Sequence, residues 1–454
     1  QAEDGIRDVE RSRGLGDVYK RQISNTTSTI NNTLLNFIEL YYNSCPYKNS
    51  TVRVHGIIVY KRDYEKPLPG IVMVHGYRGS LQDMLAYAET LAINNYAVLV
   101  IDAPGHGKST GTPRASPEFV ADTSNGVRSL LFYHVVCSMI RGISVLERMK
   151  FVDNESIGVI GASMGGVATY VVANIDYRVK AAVPIVASGD FLELIRSGGL
   201  ANGMIPDPNL DLIRNMVCVD PIIHVGGIRG NKSQLILIGT NDEFFPIESL
   251  IETLDKSNPD STHFSLAPNH NHFKPYPGWI RLVEMYLDSV FYEEEIVPDL
   301  LEYNTSIDLF SLSVAAESNN MYLDIYFFYR LPIQGMPWHR YWIGLGKGGL
   351  AIPRLLPMQY YIGVGDGEKL YTTTKPVTIH APIGLVLSLL FLGVSILYFA
   401  GRGWIRYKSY GLILTGLTII FIILTPVLPS IYLSLIHISE PTRPLYISYA
   451  VFCL

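Results

Sequence analysis

Cysteine is scarce in this sequence, and the few cysteines are far apart. Of the 4 cysteines among 454 residues, Cys453 lies in a terminal stretch considered below, which leaves Cys45, Cys137 and Cys218. Three dispersed cysteines form neither a disulfide framework nor the paired spacing of a zinc site. At most one pair could therefore form a bridge.

Charge of either sign is also sparse. The chain carries 36 Lys and Arg against 41 Asp and Glu, which gives a formal net charge of −5. Nucleic acid binding normally depends on an excess of basic residues, so this balance gives no electrostatic reason to expect a nucleic acid partner.

Both ends of the chain resemble translated sequencing-adapter sequence. The two stretches are QAEDGIRDVERSRGLGDVYKRQ (1–22) and LSLIHISEPTRPLYISYAVFCL (433–454). Stretches of this kind are set aside in fold reasoning, as a tag or a fusion scar would be. We expect the natural gene to be cut at both ends of residues 23–432.

Two uncharged apolar runs near the C-terminus have the length of membrane-spanning helices. The spans are predicted at 382–401 and 410–432, and the alternative is a pair of buried core helices. The short link between them contains Arg402, Arg406 and Lys408, and basic residues in a short loop favour the cytoplasmic side. The protein is therefore predicted to be membrane-anchored, with the preceding residues on the extracytoplasmic side.

Residues 51–298 alternate short apolar runs with longer helical patterns. The runs GIVMVHG, YAVLVIDAPG, SIGVIGASMGG, KAAVPIVASG and QLILIGTND are rich in Val, Ile and Leu and end in Gly, Asn or Asp. This alternation predicts an α/β fold with a mostly parallel sheet covered by helices on both faces. Functional residues of such sheets lie at the carboxyl ends of the strands. Residues 23–50 remain a separate N-terminal segment.

A G-x-S-x-G motif formed by Gly161, Ser163 and Gly165 follows the third of these runs. The motif alone is a weak signal. A strand before it and a helical pattern after it predict a strained turn that exposes a nucleophilic serine at a helix N-terminus, where a developing oxyanion is stabilised. The structural alternative is a serine in an ordinary Gly-rich turn.

With two further motifs, the chain resembles the α/β-hydrolase superfamily, and most closely its serine aminopeptidase and esterase/lipase-like branches. VMVHGYRGS (72–80) resembles the family's oxyanion loop, and IDAPGHGKS (101–109) resembles its D-x-x-G-H-G-x-S turn. The resemblance covers about residues 51–295. It implies that Asp102 and His106 hold a turn together rather than act in catalysis.

The resemblance also implies an oxyanion hole. The backbone N–H groups of Tyr77 and Met164 are expected to form it, while His75 and Gly76 shape the loop that carries Tyr77. His75 is expected to orient this loop rather than to transfer protons.

The chain order of this family, serine then acid then histidine, points to two later segments. Asp242 occupies the position of the acid, with Glu243 as the alternative. His270 and His272 both follow the last predicted strand, and the P-N-x-x-H pattern and the longer loop favour His272 as the base. The predicted triad is thus Ser163, His272 and Asp242, with His270 as the alternative base.

A metal site is another interpretation of the histidine pair. Zinc usually needs a third protein ligand, and no neighbouring motif provides one. Neither a metal nor a cofactor is expected.

Residues 190–231 are predicted to form a short cap of two or three helices, which favours an open site. Phe191, Leu192, Phe244 and Phe245 are candidates for an apolar acyl pocket. Alternating patterns around the turn-like ESNN and GDGE predict hairpins in a small antiparallel β unit at 299–381.

The sequence therefore predicts a serine hydrolase that cleaves carboxylic esters of a small-molecule or lipid-like acyl substrate through an acyl-enzyme. The alternatives are a serine peptidase of the same fold, an acyltransferase that uses the same triad, and a catalytically silent binding module at the membrane.

Overall fold

A computed structural model gives the fold of the chain. It describes residues 20–111, 122–196, 210–273, 276, 278–293, 297–307, 311–333, 336–353, 357–367 and 369–380. These residues divide into a first unit, 20–298 with 366–373, and a second unit, 299–365 with 374–380.

The first unit is built around one large sheet flanked by helices. Its strands are β1 (Lys20–Ile30), β2 (Thr33–Asn43), β3 (Arg53–Lys61), β4 (Leu68–Val74), β5 (Ala97–Ile101), β6 (Ser124–Val127), β7 (Val152–Ala162), β8 (Val179–Ile185), β9 (Ser233–Gly239) and β10 (Thr262–Ala267). Its helices are α1 (Gln82–Ile93), α2 (Leu131–Leu146), α3 (Met164–Ile175), α4 (Phe191–Arg196), α5 (Leu210–Val217), α6 (Pro221–His224), α7 (Ile247–Lys256) and α8 (Trp279–Phe291).

The strands of the large sheet lie in the order β1-β2-β3-β5-β4-β7-β8-β9-β10. From β5 to β10 all pairings are parallel, whereas β1, β2 and β3 pair antiparallel and join the rest through β3 and β5. Every residue of β4 and β5 is buried, as a parallel sheet requires when helices cover both faces.

Successive residues of the central strands contact helices on opposite faces. Ile71 and Met73 lie in one core cluster with residues of α1 and α8. Val72 faces the other side, where α2 approaches so closely that a Cβ on Gly142 would lie 3.3 Å from Val72. The mostly parallel, doubly covered sheet predicted from the sequence is confirmed.

The large sheet begins earlier in the chain than the sequence predicts. Strand β2 pairs with β3 from Leu35 opposite Lys61 to Asn43 opposite Arg53, and Leu35, Leu40 and Tyr42 are fully buried. Residues 23–50, predicted as a separate segment, are therefore part of this sheet. Strand β1 starts at Lys20, inside the stretch 1–22 that resembles adapter sequence.

A disulfide joins Cys45 and Cys137, which are 92 residues apart. It links the segment after β2 to α2, next to a hydrogen bond of 2.8 Å that Tyr42 Oη donates to Ser138 O. The sequence alone left open which pair of cysteines could bridge. A cross-link over so long a loop contributes on the order of 3 kcal/mol by restricting the unfolded chain.

The second unit is an antiparallel sheet with its own apolar core. Its strands are β11 (Leu300–Ile307), β12 (Ser311–Ser318), β13 (Asp324–Arg330), β14 (His339–Leu345), β15 (Lys347–Pro353), β16 (Met358–Asp366) and β18 (Val377–Ile379), whereas β17 (Lys369–Thr373) belongs to the first unit. The order is β11-β12-β15-β14-β13-β16, with β18 paired to β16. Core residues include Val314, Phe327 and Ile362.

The predicted hairpin across ESNN is wrong. Strand β12 pairs with β11 and β15, and β13 pairs with β14 and β16, so the strands on either side of ESNN are not neighbours in the sheet. A local turn signal shows where the chain reverses, but it does not decide which strand becomes the partner. The second predicted hairpin falls partly outside the described residues, because residue 368 is not described.

The described part of the cap consists of the short helices α4, α5 and α6, as the sequence predicts for 190–231; residues 197–209 are not described. Within the described ranges, no helix is long and apolar enough to span a membrane. The predicted spans at 382–401 and 410–432 lie outside those ranges, as do 1–19 and 433–454.

Candidate active site

Ser163 stands in the sharp turn between β7 and α3. Its φ of 54° and ψ of −113° are rare for any residue other than glycine, and such a backbone persists only where the surroundings enforce it. Here the Ser163 N–H donates to Ile185 O at 2.8 Å and Ser163 O accepts from Val167 N at 2.9 Å. The turn thus belongs both to the sheet and to the helix.

The two motif glycines allow β7, α3 and β4 to approach each other at this turn. A Cβ on Gly161 would lie 2.2 Å from Gly165 O, and a Cβ on Gly165 would lie 2.6 Å from Val74 O. Both contacts involve backbone atoms that cannot move aside. Glycine is therefore required at both positions, as the sequence predicts for a nucleophile turn.

His272 and Asp242 complete a continuous chain of hydrogen bonds from Ser163. His272 Nε2 lies 2.8 Å from Ser163 Oγ, and His272 Nδ1 lies 2.9 Å from Asp242 Oδ2 and 3.1 Å from Oδ1. With Nδ1–H donating to the carboxylate, Nε2 is free to accept the serine proton. The structure therefore brings together the three residues predicted as the triad.

Asp242 is held firmly in place just after β9. Its Oδ1 accepts hydrogen bonds of 2.9 Å from both Phe244 N and Phe245 N. Burial raises the pKa of this carboxyl group, while the hydrogen bond from His272 and those two N–H groups act in the opposite direction. A buried acceptor with a fixed orientation suits the task of holding one tautomer of the histidine.

His270 has a different environment from His272. Its Nδ1–H donates to Pro268 O at 2.9 Å, and its ring packs edge-on against Tyr276 at 5.0 Å. Its carbonyl oxygen accepts from Asn241 N at 3.0 Å, next to Asp242. His270 thus shapes the loop, and the structure brings His272 rather than His270 to Ser163.

The predicted oxyanion loop lies directly beside the serine. A Cβ on Gly76 would lie 3.2 Å from Ser163 Cβ, so the following residue, Tyr77, adjoins the reacting oxygen. Met164 is the first residue of α3. Among the residues that the structure describes, neither the Tyr77 N–H nor the Met164 N–H donates a recorded hydrogen bond, which leaves both available as donors.

His75 supports this loop from below. It is fully buried; its Nδ1–H donates to Gly76 O at 2.6 Å and its Nε2 accepts from Ala103 N at 3.0 Å. Burial lowers the pKa of His75 to about 4, so the ring is neutral near pH 7. The geometry agrees with the expected orienting role.

Asp102 and His106 lie in the turn after β5, as the resemblance implied. Asp102 accepts hydrogen bonds from Leu81 N at 2.8 Å and Lys108 N at 2.9 Å, and His106 Nε2 accepts from Arg78 N at 3.2 Å. They connect the turn to the segment that carries Tyr77 and have no recorded hydrogen bond to Ser163.

Sequence reasoning missed two side chains near His272. Glu243 Oε2 accepts a hydrogen bond of 3.1 Å from His272 N, and the Phe273 ring lies 5.3 Å from the imidazole. Both are adjacent in sequence to a predicted triad residue, and that adjacency was the available signal. Of the predicted acyl-pocket residues, Phe191 and Phe245 are each only 2% exposed and pack inside the unit.

Within the described residues, no group of three or more His, Cys, Asp or Glu side chains could hold a metal ion. The site described above is therefore built from a serine, a histidine and a carboxylate, with backbone N–H groups beside them.

Comparison with known proteins adds independent support. The model of the acetyl xylan esterase (AXE1) family matches residues 19–192, a range that contains Ser163 and Tyr77 but ends before Asp242. The chain is also 26% identical over 143 residues to the putative esterase YitV of Bacillus subtilis (strain 168), which covers 31% of this chain and 52% of YitV. The chain thus spans about half the length of that relative.

Solved structures show a similar fold. Acetyl xylan esterase 1 from Thermoanaerobacterium sp. JW/SL YS485 superposes with a TM-score of 0.54 at 17% identity, covering 64% of this chain and 92% of the esterase. The acetyl xylan esterase of Paenibacillus sp. R4 gives a TM-score of 0.53 at 17% identity, with 63% and 92% covered. The chain has the α/β-hydrolase fold. Together with the family match, these likenesses support an α/β-hydrolase of the carboxylesterase type.

Proposed function

We propose that the protein is a serine carboxylesterase that releases short acyl groups, such as acetyl, from their esters. The observation that carries this proposal is the hydrogen-bonded chain from Ser163 through His272 to Asp242. The acetyl group enters the proposal because the matched family and two similar structures are acetyl xylan esterases.

Acylation begins when Ser163 Oγ attacks the ester carbonyl carbon while its proton passes to His272 Nε2. The carbonyl oxygen becomes an oxyanion, and the N–H groups of Tyr77 and Met164 donate hydrogen bonds to it. The imidazolium then gives its proton to the alcohol oxygen as the C–O bond breaks. The alcohol leaves and the acyl group remains on Ser163.

Deacylation repeats these steps with water. His272 Nε2 takes a proton from water, the resulting hydroxide attacks the acyl carbon, and a second oxyanion forms in the same place. The Oγ–C bond breaks, His272 returns the proton to Ser163, and a carboxylic acid leaves. Asp242 keeps its negative charge throughout and stabilises the imidazolium.

The Cys45–Cys137 disulfide supports the proposed extracytoplasmic location. Structural disulfides form and persist in oxidising compartments and are rare in the cytosol, and this one joins two segments of the first unit. The membrane anchor at 382–401 and 410–432 remains a proposal based on the sequence.

The experiment is hydrolysis of p-nitrophenyl esters from acetyl to octanoyl by the full chain and by Ser163→Ala. The proposal predicts highest kcat/KM for the acetyl ester and a loss of about 10⁴-fold or more in Ser163→Ala. A matched control is Ser156→Ala, since Ser156 Oγ is bonded to Asp153 near the amino end of β7.

Product analysis in the presence of an added alcohol separates hydrolysis from acyl transfer. Free acid as the main product supports the esterase, whereas a new ester as the main product assigns an acyltransferase. Cleavage of amino acid p-nitroanilides in preference to esters assigns the peptidase instead. Equal activity in wild type and Ser163→Ala contradicts all three enzymatic readings of this site.

A further inference from the structure

Three phenyl rings border the imidazole of His272. Their ring centroids lie 4.7 Å (Phe244), 5.3 Å (Phe273) and 5.8 Å (Phe245) from that of the histidine. Phe273 stands nearly perpendicular both to His272, at 87°, and to Phe244, at 90° and 5.5 Å. The rings form a cluster at the end of the hydrogen-bonded chain where protons are exchanged.

The three rings differ in exposure. Phe245 is 2% exposed and Phe244 is half-buried, whereas Phe273 is 71% exposed. A phenyl ring left in water forgoes a favourable burial that is worth a few kcal/mol at full extent. The backbone beside Phe273 is anchored, because His272 N donates to Glu243 Oε2 and the His272 side chain is bound to Asp242. The site therefore holds an exposed flat apolar surface next to its base.

The position of these rings relates them to one half of the ester. His272 Nε2 gives its proton to the departing alcohol oxygen, so that oxygen must come within about 3 Å of Nε2 at that moment. The carbon skeleton attached to this oxygen then extends past the rings that border the imidazole. The oxyanion loop at Gly76 and Tyr77 approaches Ser163 separately and faces the carbonyl oxygen.

We propose that Phe273, supported by Phe244, is the subsite for the alcohol half of the substrate, and that it binds alcohols with a flat ring. Such a ring presents a π face or a face of C–H groups, and either stacks on phenylalanine. Aryl alcohols and pyranose sugars share this chemistry. This inference rests on the proposed esterase function and deepens it.

The test uses esters that share the acetyl group and differ in the alcohol: phenyl acetate, an acetylated methyl pyranoside and ethyl acetate. For each ester, kcat/KM of Phe273→Ala is divided by that of the wild type, so that intrinsic leaving-group reactivity cancels. The ratio is expected to fall about fivefold for esters with a ring and to stay within about twofold for ethyl acetate. Phe273→Tyr, which retains a flat ring, is expected to restore the ratio.

Two controls accompany this comparison. Tyr177→Ala removes another exposed aromatic ring, 78% exposed, at the start of β8 and so at the opposite end of the strand from Ser163. It is expected to change no ratio. A parallel series of phenyl esters with longer acyl chains is expected to show the same acyl preference in Phe273→Ala as in wild type.

The outcomes are distinct. A fall for phenyl acetate or for the pyranoside, or for both, supports the subsite and identifies the kind of ring. An equal fall for all three esters overturns it and makes Phe273 only a support for His272, and an unchanged ratio for all three also overturns it. If the wild type cleaves none of these esters or the p-nitrophenyl series, the proposed function itself fails.

Discussion

The turn that carries Ser163 and the loop that carries His272 are held in place by different means. The serine turn is fixed by the backbone: glycines at 161 and 165 let strand and helix meet without any space for a Cβ. The histidine loop is fixed by side chains, through Asp242, Glu243 and Phe244. Backbone constraints leave a motif in the sequence, whereas side-chain contacts between distant segments do not.

The largest effect is expected from the loop side, with Asp242→Asn. The amide is isosteric but offers an N–H where the carboxylate accepts, so His272 is expected to turn to the wrong tautomer. A loss of about 10³-fold to 10⁴-fold in kcat is expected, measured by acetate release. Urea unfolding is the control, and an inactive variant that is also unfolded does not support this account.

The difference between turn and loop explains what the sequence predicts well. The sheet, the serine and the acid follow from apolar strands that end in Gly or Asp, because these patterns reflect burial and turn geometry at each position. The choice between His270 and His272 depended on loop length and on a resemblance, since both follow β10. Glu243 and Phe273 were missed because their contacts become visible only when the ends of β9 and β10 lie side by side.

The same reasoning applies to the two sheets. Parallel strands of the first unit are fully buried, so their continuous apolar runs identify them individually. In the second unit, β13 pairs with β14 and β16 rather than with its predicted partner β12. The partner is decided by which faces build the core around Phe327 and Ile362, and a pattern of alternation does not contain that information.

A substitution in the serine turn tests its dependence on the backbone. Gly165→Ala places a Cβ 2.6 Å from Val74 O and 2.9 Å from His75 O, and we expect a loss of about 3 kcal/mol in the free energy of unfolding. Gly230→Ala is the control, because its Cβ would meet nothing within 4 Å at a φ of +72°. Its expected cost is about 1 kcal/mol. Equal costs in urea unfolding would contradict close packing at the turn.

The buried histidine beneath the turn makes the fold sensitive to acid. The pKa of His75 is lowered to about 4 from an ordinary value of 6.5 because the ring is desolvated. Between these values the unfolded chain binds a proton that the folded chain does not, so the free energy of unfolding falls as pH falls from 6.5 towards 4. The expected loss from His75 between pH 6.5 and pH 5 is about 2 kcal/mol.

Urea unfolding of wild type and His75→Gln at pH 7 and pH 5 measures this contribution. The variant is expected to lose less stability over the interval than the wild type. His224, whose pKa burial also lowers to about 4, remains in both proteins and adds the same slope to each. An identical decrease in the two proteins would show that His75 is not kept neutral by burial.

The smallest effect is expected from Glu243, which anchors the backbone of the histidine loop. Glu243→Ala removes the acceptor of the His272 N–H, and we expect kcat to fall about tenfold, with KM little changed, because one charge-assisted hydrogen bond is lost. Glu243→Gln retains an oxygen acceptor and is expected to recover most of that loss. A similar loss in both variants would assign the effect to charge rather than to positioning.

The central claim is that His272, rather than His270, activates Ser163. The most direct measurement is the rate at which a fluorophosphonate probe labels the full chain, in wild type, Ser163→Ala, His270→Ala and His272→Ala. The account predicts rapid labelling of wild type and His270→Ala, no labelling of Ser163→Ala, and a loss of about 10³-fold or more in His272→Ala. Rapid labelling of His272→Ala, together with loss of labelling in His270→Ala, would contradict it.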